Sequence, residues 1–151
     1  MKTMTVRKTS LLNAGKQTVF EKLKVLKTLQ YIAAPMATFI PVEHKADLKW
    51  EPGETVSFRL WLFGIIPFGI HTIHVDRFDV EQGIYTNERN AHVPIWNHEI
   101  LLEERSDGNC RYTDIVEIGA GWKTPFIWLW ANWFYAHRQR KWIQLLKLDP
   151  D

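Results

Sequence analysis

The amino-acid sequence predicts one α+β domain in which a seven-stranded antiparallel sheet packs against a long C-terminal helix. Residues 55–118 consist of short alternating segments separated by turn residues, which is typical of strands joined by hairpins. Residues 124–146 carry apolar side chains at helical spacing. The chain has 151 residues, 46% of them hydrophobic, which suffices for one core but not for two ordinary domains. We therefore expect a single domain over residues 1–151.

The N-terminal part predicts one strand followed by helical structure. Residues 3–12 alternate weakly and contain Thr, Val and Leu, which favours a strand at or near a sheet edge. Asn13 is a candidate N-cap, and from Gln17 the apolar residues recur at helical spacing until Pro35 ends the pattern. Two short helices, or one broken helix, account for this spacing. A strand at 37–42 and a turn at Pro52 and Gly53 within 47–54 come next.

The central part of the chain predicts five more strands. The first of them, 55–63, places on one face the apolar residues Val56, Phe58, Leu60 and Leu62. An apolar segment between Gly64 and Gly69 predicts a hydrophobic loop, which we expect at a cavity rim or at an interface. The remaining strands are predicted at 70–78, 84–89, 95–104 and 111–118, with turns at 81–83 and 106–109.

The last predicted element is a helix with Thr124 as N-cap and Pro125 at the first helical position, ending near Leu146. One stripe of this helix is suited to lie across the sheet and consists of Ile127, Trp130, Ala131, Phe134, Arg138 and Trp142. Other aromatic residues lie off that stripe, namely Phe126, Trp128, Trp133 and Tyr135. The first half of the helix is thus apolar nearly all round, which favours burial in the core together with a homodimer contact. Because basic residues follow the aromatic ones, peripheral contact with an anionic membrane is the alternative.

Charge and cysteine content exclude several classes of protein. The formal net charge is +2, whereas nucleic-acid binding usually requires a strongly basic surface, so we expect no nucleic-acid partner. Cys110 is the only cysteine, with no cation pair positioned by helix geometry to lower the pKa of its thiol, and residues 1–5 lack the apolar stretch of a signal peptide. These features predict a cytoplasmic protein. The longest apolar stretch, 125–136, falls short of the ~20 residues that a membrane-spanning helix needs.

A histidine and an aspartate form the candidate catalytic or ligand-orienting pair. The more apolar faces of strands 95–104 and 111–118 carry the even-numbered residues, which include His98 and Asp114. A loop over 105–109 would place Ile100 opposite Asp114. His98 is then diagonal to Asp114, with side-chain origins roughly 7 Å apart. The pair could orient a polar group of a ligand, or it could only satisfy two buried polar groups in the core.

The sequence predicts no metal and no cofactor. His71 and His74 are three residues apart on a predicted strand and point to opposite faces, so they share no metal ion. His44 and His92 lie near turns or loops. No His/Glu pair stands at the helical spacing of metal ligands.

The predicted order of one strand, two short helices, six strands and a long helix is that of the helix-grip fold. Three parts of the N-terminal region resemble the opening of START-like proteins of the polyketide cyclase/dehydrase and lipid-transport group. They are the segment 8–14 (Lys-Thr-Ser-Leu-Leu-Asn-Ala), Val19-Phe20 and 29–35. The strands around 96–100 and 112–117 resemble those of bacterial SRPBCC domains described as cell-division-inhibitor-like. The resemblance implies a curved sheet wrapped around the C-terminal helix, a deep apolar cavity and no obligatory cofactor. It fixes no catalytic residue.

We therefore expect the chain to bind or carry a hydrophobic small molecule, such as a lipid or a polyketide, in an aromatic-lined cavity. Two alternatives stay open. One is a cyclase or dehydratase that uses His98 and Asp114, with Tyr112 or Arg77 as a polarising group. The other is a module that docks on a membrane or partner through the apolar part of the last helix. The expected ligand-binding residues are Phe58, Leu60, Trp96, His98, Ile100, Tyr112, Asp114, Val116, Ile127, Trp130, Ala131 and Phe134.

Overall fold

The secondary structure follows the predicted order of elements. The computed structural model describes residues 1–43 and 48–151, so His44 and the first residue of the predicted 47–54 segment lie outside the described residues. The strands are β1 (Met4–Leu12), β2 (Ala37–Pro41), β3 (Thr55–Leu62), β4 (Ile66–Asp79), β5 (Gly83–Asn90), β6 (Val93–Glu104) and β7 (Cys110–Gly119). The helices are α1 (Lys16–Leu23), α2 (Leu26–Ala33) and α3 (Thr124–Leu148), and one 3₁₀ turn (Gly121–Lys123) precedes α3.

All of these strands form one curved antiparallel sheet, with the strand order β1-β7-β6-β5-β4-β3-β2. Helix α3 packs on the sheet beside β1 and β7, and α2 packs against α3. Strand order, sheet curvature and the position of the two short helices after β1 confirm the predicted helix-grip fold.

The register of the last hairpin was also predicted correctly. Ile100 of β6 pairs with Asp114 of β7, and His98 pairs with Val116. The even-numbered residues from 96 to 102 of β6 and from 110 to 118 of β7 are buried, while Glu99 and Glu117 are more exposed on the other face. A slip by one residue would have moved His98 to the outer face.

Both predicted helix caps were wrong. The N-cap of α1 is Gly15, and Glu104 of β6 takes the role expected of Asn13, because its Oε2 accepts the backbone N–H of Lys16 at 2.7 Å. At α3 the N-cap is Lys123. The hydroxyl of Thr124 instead accepts the N–H of Ala120 and donates to the carbonyl of Gly121, so it stabilises the preceding 3₁₀ turn.

The hydrophobic loop expected over 64–69 is shorter than predicted. Phe63 and Gly64 have φ angles of 54° and 73°, and the N–H of Ile65 donates to the carbonyl of Leu62 at 3.2 Å. Two successive residues with positive φ make the tight hairpin turn that suits strand twist. Strand β4 therefore already begins at Ile66, and it pairs with β3 from there.

Candidate functional site

A cavity lies between the inner face of the sheet and α3. Its volume is about 300 Å³, and most of its wall is apolar. The sheet and the two short helices contribute apolar side chains that include Leu29, Ile32, Phe39, Leu60, Ile73, Val75, Trp96 and Ile100. Helix α3 contributes Phe126, Ile127, Trp130, Phe134 and Tyr135. A pocket of this volume is at the lower end of the range known for small-molecule sites, about 300–1,000 Å³.

Three neighbouring strands bring a polar cluster to this apolar wall. His71 of β4, Glu88 of β5 and His98 of β6 all line the cavity. Ile73 pairs with Glu88 across β4 and β5, and Thr86 pairs with His98 across β5 and β6. The three titratable side chains are therefore diagonal neighbours on one face, within hydrogen-bonding reach of each other.

Glu88 is the centre of this polar cluster. Its Oε1 lies 2.7 Å from Nε2 of His71, and its Oε2 accepts the hydroxyl of Thr86 at 2.6 Å. Nδ1 of His98 lies 3.7 Å from the same Oε2. Burial alone would raise the pKa of Glu88, but the hydrogen bond from His71 and the nearby imidazole of His98 hold it well below its usual range. Glu88 is therefore an ionised carboxylate whose two oxygens are already occupied.

Asp114 holds His98 from the other side. Its carboxylate is 0% exposed. Oδ1 lies 2.7 Å from Nε2 of His98, and Oδ2 accepts Nε2–H of Gln139 at 3.1 Å. Burial would lower the pKa of His98, but the hydrogen bond to Asp114 and the nearby carboxylate of Glu88 raise it. A protonated His98 between two carboxylates is the arrangement that these contacts favour.

Helix α3 adds a buried cation to the site. Arg138 lines the cavity, and its guanidinium lies 5.1 Å from the ring centroid of Tyr135 and 5.8 Å from that of Phe134. Tyr135 was expected off the sheet-facing stripe, and that prediction was wrong: its hydroxyl accepts Nε1–H of Trp96 at 3.0 Å inside the core. The helix is covered on a broad face because the sheet curves around it.

The cavity contains some of the expected ligand-binding residues but not all. Those that line it are Leu60, Trp96, His98, Ile100, Ile127, Trp130 and Phe134. Those that do not are Phe58, Tyr112, Asp114, Val116 and Ala131, each of which is 0% exposed and packed by neighbouring side chains. Asp114 thus reaches the cavity only through His98. Arg77, the other suggested polarising group, pairs with Glu99 at 2.6 Å and does not line the cavity.

Sequence reasoning missed His71 and Glu88. Alternation on β4 places His71 on the same face as Ile73 and Val75, but we used His71 only to exclude a metal shared with His74. Glu88 shares a face with Ile84, so a carboxylate on an apolar face was the signal that could have revealed it. Among the described residues, no group of His, Cys, Asp and Glu is arranged to hold a metal ion.

Exposed apolar side chains lie on the β3–β4 turn and on the first half of α3, and one of them lines the cavity. We define the apolar rim as Phe63, Ile65, Ile66, Phe126, Leu129 and Trp133, all of which are exposed. Phe126 lines the cavity although it is 67% exposed, so the cavity reaches the surface beside it. The rings of Phe63 and Trp133 lie 5.9 Å apart and join the β3–β4 turn to α3. No helix in the described part of the chain has both the length and the apolar character needed to cross a bilayer.

Comparison with known proteins gives a family but no activity. The model of one protein family matches residues 10–146, and its description is "Domain of unknown function (DUF8410)". The chain belongs to this family. A search of curated protein sequences finds no match.

Solved structures with low sequence identity share the architecture. A START superfamily protein from Mycobacterium smegmatis has a TM-score of 0.74 at 12% identity, over 95% of this chain and 97% of that one. A protein from Chromobacterium violaceum has a TM-score of 0.72 at 17% identity, over 93% and 95%. Ara h 8.0201 has a TM-score of 0.60 at 14% identity, over 93% and 98%. These likenesses confirm the START-like (SRPBCC) fold.

Proposed function

We propose that this chain binds a hydrophobic small molecule in the cavity between the sheet and α3. The observation that supports the proposal is a volume of about 300 Å³ with a largely apolar wall. Protein interiors are close-packed and keep few voids larger than a water molecule, so a space of this size is a feature that the fold maintains. Apolar walls with a few fixed polar groups are typical of small-molecule sites.

The polar cluster supports binding or carriage better than cyclase or dehydratase chemistry. A general base must reach the proton that it removes. Asp114 does not line the cavity, and both oxygens of Glu88 already accept hydrogen bonds from His71 and Thr86. Both nitrogens of His98 face carboxylates, so the His98–Asp114 pair offers no free base to a substrate.

Filling the cavity tests this proposal. Val75 lines the cavity, so Val75→Phe places a ring in the space that a ligand would use. Binding of the neutral fluorophore N-phenyl-1-naphthylamine should then weaken at least tenfold. Val42 is exposed and outside the cavity, so Val42→Phe is the matched control and should bind the fluorophore as the wild type does. Equal binding by the Val75→Phe variant, with an unchanged melting temperature, would contradict the proposal.

We also propose that the apolar rim contacts an anionic membrane surface, from which the ligand enters the cavity. The rim lies where the cavity reaches the surface at Phe126. C-terminal to the rim, helix α3 carries the solvent-accessible cations Arg140 and Lys141, and the helix has no Asp or Glu, so no carboxylate on this helix opposes such a surface. Apolar exposed side chains combined with cations favour anionic lipids over neutral ones.

Vesicle sedimentation tests the membrane contact. The wild type should sediment with phosphatidylglycerol vesicles more than with phosphatidylcholine vesicles. The double variant Phe126→Ser, Trp133→Ser should no longer sediment with phosphatidylglycerol vesicles. Leu148→Ser changes an exposed position at the far end of α3 and should sediment as the wild type does. If the rim variant instead converts a dimer to a monomer in sedimentation velocity, and vesicle binding is absent, the rim is a homodimer contact.

A further inference from the structure

The polar groups around the cavity are paired with one another except at a few nitrogen atoms. Within residues 1–43 and 48–151, Nδ1 of His71, Nε1 of Trp130 and Nε of Arg138 are buried without a hydrogen-bond partner, and all three residues line the cavity. His71 is 4% exposed. Buried polar atoms are nearly always satisfied in folded proteins. Such atoms at a cavity wall therefore indicate which groups a ligand should carry.

The hydrogen bond to Glu88 fixes the role of the free nitrogen on His71. Nε2 of His71 lies 2.7 Å from Oε1 of Glu88. Glu88 is ionised and can only accept, so Nε2 carries the hydrogen. In a neutral imidazole the second nitrogen then has a lone pair. Nδ1 of a neutral His71 imidazole is therefore a hydrogen-bond acceptor.

We propose that the ligand is an apolar molecule with a hydroxyl group, alcoholic or phenolic, that donates its hydrogen to Nδ1 of His71. This inference rests on the proposed function and names the ligand class. A hydroxyl donates to Nδ1, and its lone pairs suit donors such as Nε1–H of Trp130. A ketone, ester or ether has acceptors only and leaves Nδ1 unsatisfied. A carboxylate would bring a second negative charge beside Glu88.

Three naphthalene probes of similar size isolate the hydroxyl. The probes are 2-naphthol, 2-methoxynaphthalene, which has an acceptor but no donor, and 2-methylnaphthalene, which has neither. In His71→Gln the amide can still donate to Glu88, while the acceptor at Nδ1 is gone, so the variant keeps the partner that the fold needs. His74→Gln is the matched control, because His74 is on the other face of β4 and its Nδ1 bonds Thr55 at 2.6 Å.

The measured quantity is the ratio of the dissociation constants of 2-methoxynaphthalene and 2-naphthol. Comparing this ratio between variants cancels the different water solubilities of the probes. In His71→Gln the ratio should fall about threefold to tenfold, the usual effect of one hydrogen bond, while 2-methylnaphthalene binds as before. In His74→Gln the ratio should stay at the wild-type value. Thermal unfolding of each variant verifies that it is folded.

The outcomes separate this inference from the proposed function. If all three probes bind the wild type but the ratio is the same in His71→Gln, the hydroxyl assignment is wrong and the cavity remains a binding site. If no probe binds the wild type, the proposed function fails and the inference fails with it. If the ratio falls equally in both histidine variants, the effect is not specific to Nδ1 of His71, and the assignment is again wrong.

Discussion

Replacing Asp114 by Asn tests whether the buried polar cluster is a structural support for His98. The carboxylate of Asp114 accepts Nε2–H of His98 at 2.7 Å on one oxygen and Nε2–H of Gln139 at 3.1 Å on the other. Asn has the same shape but only one acceptor oxygen and no charge. As long as His98 is protonated, one of the two N–H donors faces an NH₂ group whichever way the new amide is turned.

Gln139 cannot relieve this conflict by turning its own amide. Its Oε1 accepts the hydroxyl of Ser10 at 2.6 Å, and its Nε2 donates to the carbonyl of Lys8 at 2.8 Å. Breaking one partner of a buried ion pair costs about 3–5 kcal/mol. Because Asn keeps one of the hydrogen bonds, we expect a loss of about 3 kcal/mol in the free energy of unfolding, which lowers the melting temperature by about 6–12 °C.

Urea denaturation at pH 6, followed by tryptophan fluorescence and circular dichroism, measures this loss. The control is Glu99→Gln, which makes the same chemical change on the other face of β6. Glu99 pairs with Arg77 at 2.6 Å and both side chains are partly exposed, so this change should cost at most about 1 kcal/mol. If Asp114→Asn costs no more than Glu99→Gln, the reasoning about the buried cluster is refuted.

Three further predictions concern a histidine, a thiol and a helix cap. Because its folded-state pKa is raised, His98 stabilises the fold below its unfolded pKa of about 6.5, and this contribution is lost as pH rises through the folded pKa. In the wild type the free energy of unfolding should therefore decrease as the pH rises from 6 to 9. This decrease should be smaller in His98→Gln but not in His74→Gln. Burial raises the pKa of the Cys110 thiol to about 11, so a disulfide reagent at pH 8 should modify it only as fast as the protein opens; rapid modification would contradict this. Glu104→Ala removes the acceptor for the first N–H of α1 and should lower the free energy of unfolding by about 1 kcal/mol in urea denaturation. Glu103→Ala should lower it by less in the same assay.

Most of the fold could be predicted because it depends on local patterns. Alternation, turn residues and helical spacing locate the strands and helices, and loop length sets the β6–β7 register. The errors occurred where a distant residue or an uncommon backbone angle determines the local structure. The acceptor at the start of α1 comes from Glu104 of β6, which no local pattern around Asn13 reveals. The β3–β4 turn depends on Phe63 adopting a positive φ, which is uncommon for an aromatic residue.

The candidate site could be predicted only in part. Alternation and register brought His98 and Asp114 together correctly. An inward-facing residue is not always a cavity-lining one, however, since Phe58 and Tyr112 face inward and are covered by neighbouring side chains. His71 and Glu88 were missed because their contact needs the register between β4 and β5, which shifts between Val75 and Arg77. Sequence alternation does not locate such an irregularity.

The central claim is that the cavity holds a hydrophobic molecule, and native mass spectrometry tests it most directly. The purified protein would be equilibrated with an organic-solvent extract of the cells that express it, and its mass compared under native and denaturing conditions. We predict a bound apolar compound that is present in the wild type and in Val42→Phe, lost on denaturation, and absent from Val75→Phe, where the added ring occupies the cavity. A wild type that binds no compound, or the same compound bound equally by Val75→Phe, would contradict the account.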